Sequence, residues 1–194
     1  VWHTAKENDD FSLFEPYLQR MFDTLKRFAL YWEPDKAPYE TMLDHYERGL
    51  TISACDQFFA ALRQKDAEAA AEAAYSIAGC GIGLTPSADD FLCGVMASVL
   101  ASAIACGEQN EWLPLTAAMA ERAAPRTNLI SAAFLRQAAA GQLSSDVLTL
   151  IRTLYSSVLS LRLPSAAMNV IAFGETSGTD ILTGIYFGQK NYPN

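Results

Sequence analysis

The sequence predicts an all-α protein, either a compact helical bundle or a helical barrel, with about nine or ten helices. Alanine-rich segments with few β-branched residues favour helices along much of the chain. Apolar side chains recur at spacings of three and four residues, as at Phe11, Phe14, Leu18 and Met21, and no segment has a convincing strand pattern. With 51% apolar and 19% charged residues, the 194-residue chain can bury a full core and is not expected to be disordered.

The charge and hydropathy of the chain narrow the classes of partner. A net charge of −8 and a pI near 4.7 leave no basic patch, so neither nucleic acid nor an anionic membrane is an expected partner. Residues 1–10 are polar and acidic, unlike a signal peptide. Residues 91–107 are uncharged but rich in Ala, Ser and Gly, and they are short for a bilayer span, so we expect a buried central helix. The chain begins at Val1 rather than Met, as a fragment of a longer protein would.

The four cysteines are expected to be reduced thiols. Cys55, Cys80, Cys93 and Cys106 show no C-x-x-C spacing and have no histidine nearby. Three of them lie in or beside predicted apolar helices, which indicates buried thiols and a cytoplasmic protein.

The first predicted helix spans residues 11–31 and is amphipathic, and Trp32-Glu33-Pro34 ends it. Residues 33–38 carry two prolines and three charges, which is typical of a connection. A domain boundary, if there is one, lies here, between an N-terminal helical segment of residues 1–33 and a helical domain of residues 39–194. We expect one compact domain, with residues 1–33 packed on the remainder.

The later predicted helices begin at polar capping residues and end at glycine or proline. Asp66 caps one helix and Gly79 closes it. The other predicted caps are Ser53, Ser87, Thr127, Ser144 or Ser145, and Ser177. These helices span residues 39–50, 53–63, 66–78, 88–106, 112–124, 127–140, 144–161, 164–173 and 177–189. In helix 88–106 a stripe of small residues, Gly94, Ala97, Ala101 and Ala105, allows a neighbouring helix to approach closely.

The most distinctive stretch is GCGIGLTPSADDFLCG at residues 79–94. Three glycines within five residues allow positive φ and a close approach to a ligand. Ser87 and Asp90 have the spacing of a capping box, with Pro86 just outside the helix. The loop therefore brings hydroxyl groups, carboxylates and backbone N–H groups to one helix N-terminus.

A shortened copy of this stretch, GETSGTDILTG, lies at residues 174–184. When Ser87 is aligned with Ser177, Asp90 aligns with Asp180, and both copies follow the pattern S-x-x-D-x-L-x-G. We therefore expect two helix starts of one kind, facing each other across one polar pocket.

Two chemical interpretations of the paired loops remain open. In the first, the helix N-termini bind a phosphate or carboxylate, and Mg²⁺ held by Asp89 offsets the repulsion from the neighbouring carboxylates. In the second, Asp90 and Asp180 only cap their helices and Asp89 alone faces the pocket. A Ser-His-Asp triad is not credible, because His3 and His45 are the only histidines, and the loop lacks the Lys of a phosphate-binding P-loop.

The candidate site residues come from the two loops and from a third polar helix start near residue 127. The candidate catalytic residues are Asp89, Asp90 and Asp180. The candidate substrate-binding residues are Gly81, Gly83, Thr85, Ser87, Thr127, Ser131, Thr176, Ser177 and Gly178.

These motifs resemble those of a family long catalogued as a domain of unknown function, which includes the AllH subunit of oxamate carbamoyltransferase. Residues 81–94 are similar to the family pattern G-x-G-L-T-P-S-x-D-D-x-L-x-G, with Ile82 and Ala88 where Pro and Gly are frequent. Residues 174–184 resemble its closing G-x-T-S-G-x-D-x-L-x-G, and residues 131–141 resemble a third segment, S-x-x-[YF]-L-x-x-A-A-x-G. The resemblance spans residues 79–189, and an additional N-terminal region that family members usually carry is not found.

The resemblance implies a complex of three kinds of subunit that acts in anaerobic allantoin and purine breakdown. Oxalurate and phosphate would be converted to oxamate and carbamoyl phosphate, with partner subunits that include one resembling acyl-CoA synthetases. The chain would then be a cytoplasmic enzyme subunit that binds a small anionic substrate at the paired loops. The alternatives are a noncatalytic helical interaction subunit and, by analogy of architecture alone, a helical kinase-like module that holds Mg-nucleotide.

Overall fold

The computed structural model describes residues 1–156 and 159–193 and divides the chain into two compact units, Val1–Thr51 and Ile52–Asn194. Within the described residues all regular elements are helical, with eleven α-helices, two 3-10 turns and no strand. The all-α prediction is confirmed.

The first unit contains α1 (Trp2–Glu7), α2 (Glu15–Trp32) and α3 (Pro38–Tyr46). The amphipathic helix begins later than predicted, because residues 11–13 form a 3-10 turn that the Asp10 side chain caps. The proline-rich connection is a turn between two packed helices, since the Trp32 ring lies 5.6 Å from the His45 ring. The two compact units divide after residue 51. The predicted domain division at residues 33–38 and the packing of residues 1–33 on the remainder stay predictions.

The first unit buries little of its own apolar surface. Of its residues only Ala5, Ala29 and Thr41 are buried. Large aromatic side chains of α2, among them Phe22 and Tyr31, are exposed in the described chain. Helix α2 thus has an apolar face, but this unit does not contain a core large enough to cover it.

The second unit contains eight helices, which are named here in chain order. They are α4 (Ile52–Gln64), α5 (Ala67–Ile77), α6 (Ser87–Cys106), α7 (Gln109–Ala123), α8 (Leu129–Ala139), α9 (Ser145–Leu154), α10 (Leu159–Ile171) and α11 (Ser177–Asn191). The predicted single helix over 144–161 is two helices, and its residues 157 and 158 lie outside the described residues. Pro114 and Pro164 lie inside α7 and α10 instead of opening them, each in the second turn, where a missing N–H costs one intrahelical hydrogen bond.

Helix α6 is the central element of the second unit. Fourteen of its 20 residues are buried, and α11, α8 and α7 pack around it. It is also long and apolar enough to cross a bilayer, but its burial is that of a core helix, as the sequence predicts. A helix occupies the centre, so the arrangement is a bundle.

Helices α4 and α5 pack on this centre through aromatic and charged side chains. The Phe58 and Phe59 rings of α4 lie 6.5 Å and 6.1 Å from the Phe91 ring of α6. Glu72 of α5 accepts two hydrogen bonds from the Arg122 guanidinium of α7, at 2.6 Å and 3.0 Å. Both helices therefore belong to the second unit.

Helices α6 and α11 approach each other closely because glycines face each other at their crossing. A Cβ atom on Gly94 would clash with the Ile181 carbonyl oxygen, and a Cβ atom on Gly184 would clash with that of Phe91. Each clash involves the residue three positions before the partner glycine, so the contact is reciprocal. Gly188 packs further along, against Val95, so the two helices run in the same direction with their N-termini adjacent.

The four cysteines are free, as predicted, but they are not all buried. Cys80 and Cys93 are buried, Cys55 is half-buried and Cys106 is exposed at the end of α6.

We expect Gly184→Ala to destabilise the protein by about 3 kcal/mol, because the added methyl group must displace the α6 backbone. Chemical denaturation followed by circular dichroism measures the effect. The control is Gly141→Ala, where the backbone has positive φ but the added methyl group meets no atom within 4 Å, so about 1 kcal/mol is expected. Equal denaturation midpoints for wild type and Gly184→Ala would show that the helices are not in close contact.

Candidate functional site

The glycine-rich loop connects α5 to α6, and its first glycine is fixed by its neighbours. Gly79 has a φ of +75°, and a Cβ atom there would clash with the Arg126 carbonyl oxygen. Gly81 and Gly83 also have positive φ, of 120° and 118°. The loop conformation therefore needs glycine at these positions, as the sequence predicts.

Asp89 links three parts of the chain. It is buried in the first turn of α6, where one carboxylate oxygen accepts a hydrogen bond from the Gly79 N–H at 2.8 Å. The other oxygen accepts a hydrogen bond from the Thr127 hydroxyl group. Both oxygens thus have donors from the protein, and Asp89 connects the loop to the start of α8.

The start of α8 is capped by Asn128 and not by Thr127, which corrects the predicted cap. The Asn128 side-chain oxygen accepts hydrogen bonds from the N–H groups of Ile130 and Ser131, at 3.0 Å and 3.1 Å. Its amide nitrogen donates to the Leu84 carbonyl oxygen at 2.8 Å. Thr127 is free of the capping role because its hydroxyl group is bonded to Asp89, a long-range contact that local sequence does not show.

The helix starts at Ser87 and Ser177 differ from the predicted caps. Ser87 and Ser177 are the first residues of α6 and α11, and the residues before them, Pro86 and Thr176, make no side-chain capping bond. The Asp90 carboxyl group instead receives hydrogen bonds from the hydroxyl groups of Thr85 and Ser177. An aspartate that seemed local in sequence therefore joins two distant loops.

The two loops are in direct contact, whereas the expected polar pocket between them stays a prediction. The hydroxyl groups of Thr85 and Ser177 share a hydrogen bond of 3.0 Å. Since α6 and α11 run in the same direction, their positive N-terminal ends lie side by side at this contact.

Asp90 is the most unusual ionisable group of this region. Its side chain is 5% exposed, and one carboxylate oxygen has no hydrogen-bond partner. Burial raises the pKa of Asp90, and the negative charges of Asp180 and Asp89 raise it further, whereas the hydrogen bonds from Ser177 and Thr85 lower it in part. Asp90 is thus protonated more readily than an exposed aspartate.

Asp180 occupies the equivalent position in α11 and is half-buried. Burial raises its pKa, and a hydrogen bond from the Thr176 side chain opposes this effect. One of its oxygens also has no partner. The two copies therefore place similar carboxyl groups at adjacent helix starts.

A cavity of about 510 Å³ opens beside Asp90, between α6, α8, α9, α10 and α11. Asp90 and Cys93 lie at its buried end, while Phe134 and Phe173 are exposed at its rim. Burial raises the pKa of the Cys93 thiol far above its usual range, so Cys93 stays protonated and is a poor nucleophile.

Among the other predicted site residues, Gly178 has a structural role, and the roles of the others stay predictions. Gly178 packs against the Val170 carbonyl oxygen of α10, where a Cβ atom would clash, and this contact explains the glycine. Ser131 is buried beside the Asn128 cap, and its hydroxyl group has no partner. Their roles in substrate binding, like those of Gly81, Gly83 and Ser87, stay predictions.

The sequence alone did not single out Asn128 as the anchor of the loop or Phe134 at the cavity rim. Phe134 lies in the segment of residues 131–141 that resembles a family motif, and this was the one available signal for it. Asn128 follows Thr127, which is also a common capping residue, so the local sequence does not show which of the two caps α8.

The predicted metal site stays a prediction. No group of three His, Cys, Asp or Glu side chains among residues 1–156 and 159–193 could hold a metal ion. Mg²⁺ at Asp89 would have to replace the hydrogen bonds from Gly79 and Thr127.

Comparison with known proteins identifies the family. The sequence model of the family described as oxamate carbamoyltransferase subunit AllH matches residues 77–189, more than half of the chain. The chain belongs to the AllH family. The matched range contains α6, α8 and nearly all of α11, and it includes Thr85, Asp90 and Ser177. No solved structure matches the chain.

The N-terminal part is similar to a different family. The model of carboxypeptidase Taq (M32) metallopeptidase matches residues 1–77. The chain is 44% identical over 64 residues to carboxypeptidase 1 of Bacillus subtilis (strain 168), which is 33% of this chain and 13% of that protein. It is 41% identical over 65 residues to thermostable carboxypeptidase 1 of Pyrococcus furiosus, 34% of this chain and 13% of that protein. The chain thus spans about an eighth of the length of these curated relatives.

We expect Thr127→Val to destabilise the protein by about 2 kcal/mol, because a buried Asp89 oxygen loses its donor. Thermal and urea denaturation measure the change. Thr149→Val is the matched control, because Thr149 is exposed and its hydroxyl group bonds only within α9, so less than about 0.5 kcal/mol is expected. Equal effects of the two substitutions would exclude a linking role for Asp89.

We expect Asp90→Asn to raise the melting temperature near pH 7. The raised pKa of Asp90 means that the native state holds this proton more strongly than the unfolded state does, so its stability falls as pH rises through the unfolded pKa toward the folded one. The advantage of Asn should therefore shrink as the pH falls to roughly 4, where the unfolded chain is also protonated. Melting curves across this range test it, with the exposed Asp23→Asn as control, and a gain that does not depend on pH would contradict the assignment.

Proposed function

We propose that this AllH-family chain binds oxalurate at the adjacent starts of α6 and α11 and takes part in transfer of its carbamoyl group to phosphate. The observation that carries the proposal is the contact between Thr85 and Ser177 around the buried Asp90 carboxyl group. The family supplies the reaction class, because its members are described as subunits of oxamate carbamoyltransferase.

The electrostatics of the site support an anionic ligand. Two helix N-termini side by side direct the positive ends of their dipoles toward a carboxylate or phosphate. The N–H groups of Ala88, Asp89 and Gly178 already bond protein carbonyl oxygens, so the helix dipoles and the nearby hydroxyl groups provide the attraction. Ionised aspartates would oppose this attraction, but burial raises the pKa of both Asp90 and Asp180 and favours their uncharged forms. The raised pKa values therefore lessen the conflict without a metal ion.

The proposed chemistry needs one proton to move. A phosphate oxygen bonds to the carbamoyl carbon of oxalurate, the bond from that carbon to the inner nitrogen breaks, and the nitrogen takes a proton to become the amide of oxamate. A protonated Asp90 donates this proton as a general acid and regains one from hydrogen phosphate. Thr85 and Ser177 orient the Asp90 carboxyl group and donate to substrate oxygens, and Asp180 closes the site.

Asp89 is not part of this scheme. The sequence suggested it as a candidate catalytic residue and as a holder of Mg²⁺, but its two oxygens already accept protein hydrogen bonds. Asp90, which interacts with Thr85 and Ser177 where the two loops meet, is the better placed of the two neighbours.

A second candidate function is interaction without catalysis, and one observation favours it. Ile82 and Leu84 of the glycine-rich loop and Leu129 at the start of α8 are 85%, 68% and 90% exposed, which is unusual for large apolar side chains that lie close together. AllH-family membership implies association with the other subunits of the carbamoyltransferase complex. In this function the partner subunits would supply the chemistry, and the paired loops would only shape the surface.

The similarity to carboxypeptidases does not lead to a proposed peptidase activity. It covers 13% of each of those proteins. The predicted cytoplasmic location remains part of the proposal.

Isothermal titration with oxalurate, oxamate and carbamoyl phosphate tests the proposal. We expect wild type to bind oxalurate and Ser177→Ala to bind it about tenfold more weakly, because a hydroxyl donor is lost. The matched control is Ser145→Ala, which changes the first residue of α9, an exposed helix start of the same kind, and should leave binding unchanged.

Circular dichroism confirms that each variant is folded before titration. Absence of heat from folded wild type with all three ligands, together with stable association with partner subunits, would replace the catalytic proposal with the interaction function. Equal affinity of wild type and Ser177→Ala would exclude the paired helix starts as the binding site.

A further inference from the structure

We propose that the cavity beside Asp90 is a second binding site, for a ligand with an apolar body and a cationic amine or ammonium head. The apolar body occupies the interior, and the cation lies at the opening beside Asp146. This inference goes beyond oxalurate binding, because oxalurate is an anion and because Thr85 and Ser177 do not line the cavity.

The interior of the cavity is suited to the apolar body. Its volume of about 510 Å³ lies within the range of small-molecule sites. Ala138, Val147 and Val170 form buried apolar walls. A charged group enclosed by these walls would lose its hydration, whereas an apolar group gains free energy when it leaves water. The charge of the ligand therefore belongs at the opening.

The opening carries a negative charge that the protein leaves unpaired. Asp146 lines the cavity and is exposed, and its carboxylate makes no ion pair or hydrogen bond within the described residues. No Lys, Arg or His is among the described residues that line the cavity. Asp146 lies in the first turn of α9, whose dipole is equivalent to roughly half a positive charge, so a full negative charge prevails. The net charge of −8 adds to the attraction of cations.

Two aromatic rings at the opening also favour a cation. Phe134 and Phe173 line the cavity and are 41% and 55% exposed. Within the described chain no aromatic or cationic side chain contacts either ring. The face of an aromatic ring attracts an ammonium group, while its apolar surface contacts the body of the ligand. The rings and Asp146 thus select the same kind of ligand head.

Three ligands of similar shape and different charge test the proposal: phenethylamine, phenethyl alcohol and phenylacetate. Titration near neutral pH and the shift of the melting temperature measure their binding to wild type. We expect the amine to bind about fivefold more tightly than the alcohol, which is the scale of an exposed ion pair, and phenylacetate to bind most weakly. The alcohol or phenylacetate binding as tightly as the amine, or no binding of any of the three, would overturn the proposal.

A substitution at the opening tests the role of Asp146. Asp146→Asn should remove the advantage of phenethylamine over phenethyl alcohol and leave the affinity for the alcohol unchanged. The matched control is Glu68→Gln, which changes the net charge equally at the exposed first turn of α5 and should keep that advantage. An advantage that persists in folded Asp146→Asn, or that Glu68→Gln reduces to the same extent, would refute a cation site at Asp146.

A pair of substitutions on α8 locates the apolar body. Ala138→Leu adds volume inside the cavity and should abolish phenethylamine binding, whereas Ala133→Leu adds the same volume on the exposed face and should not. Phenethylamine binding that survives in folded Ala138→Leu would place the ligand elsewhere and overturn the proposal. If Ala138→Leu does not fold, Asp146→Asn with the three ligands still decides it.

Oxalurate titration separates this proposal from the preceding one. Asp146→Asn should leave oxalurate affinity unchanged, because the paired helix starts are unchanged, while phenethylamine binding falls. Oxalurate that competes with phenethylamine for wild type would show one shared site and overturn a second one. Failure of wild type to bind oxalurate, with phenethylamine still bound, would overturn the carbamoyl-transfer proposal and support the cavity site.

Discussion

The close parallel contact between α6 and α11 is the constraint on which the rest of the site depends. Gly94 and Gly184 lack the Cβ atom that would clash with the backbone of the partner helix. The two helices therefore cross more closely than residues with a side chain would permit. Because the helices run in the same direction, this contact also brings their N-termini together. The hydrogen bond between Thr85 and Ser177 is a consequence, since Thr85 lies just before the first residue of α6 and Ser177 is the first residue of α11.

Burial at this contact gives Asp90 its chemical character. Removal of the carboxyl group from water disfavours its charged form, and hydroxyl donors from two loops compensate for only part of the effect. An aspartate next to two helix N-termini would ordinarily be ionised by their dipoles. The central position of α6 in the second unit, with most of its residues buried, is therefore what separates Asp90 from an exposed capping residue.

The family boundary and the structural boundary of the chain do not coincide. Residues 1–77 are similar to carboxypeptidases, but α4 and α5 within that range pack into the unit that contains the AllH-family residues. Phe58 and Glu72 make this packing through Phe91 and Arg122. Residues 1–51, in contrast, form a unit with few buried residues and exposed aromatic side chains on α2. A segment that buries enough apolar surface joins the neighbouring core, whatever family its sequence resembles.

The sequence by itself determined the helical class, the glycine loop and the two similar helix starts, because helix propensity, period and the φ of glycine are local properties. The same local rules assigned Thr127 to a cap, which was wrong, and Asp90 to a capping box, which leaves out its contact with a distant loop. The tertiary structure decided them, since a hydroxyl or carboxyl group bonds whichever donor or acceptor packing brings near, and for Thr127 and Asp90 those partners are Asp89 and Ser177, 38 and 87 positions away along the chain. The tertiary structure also decided the cavity beside Asp90, because its walls come from five helices that only the packing of the chain brings together.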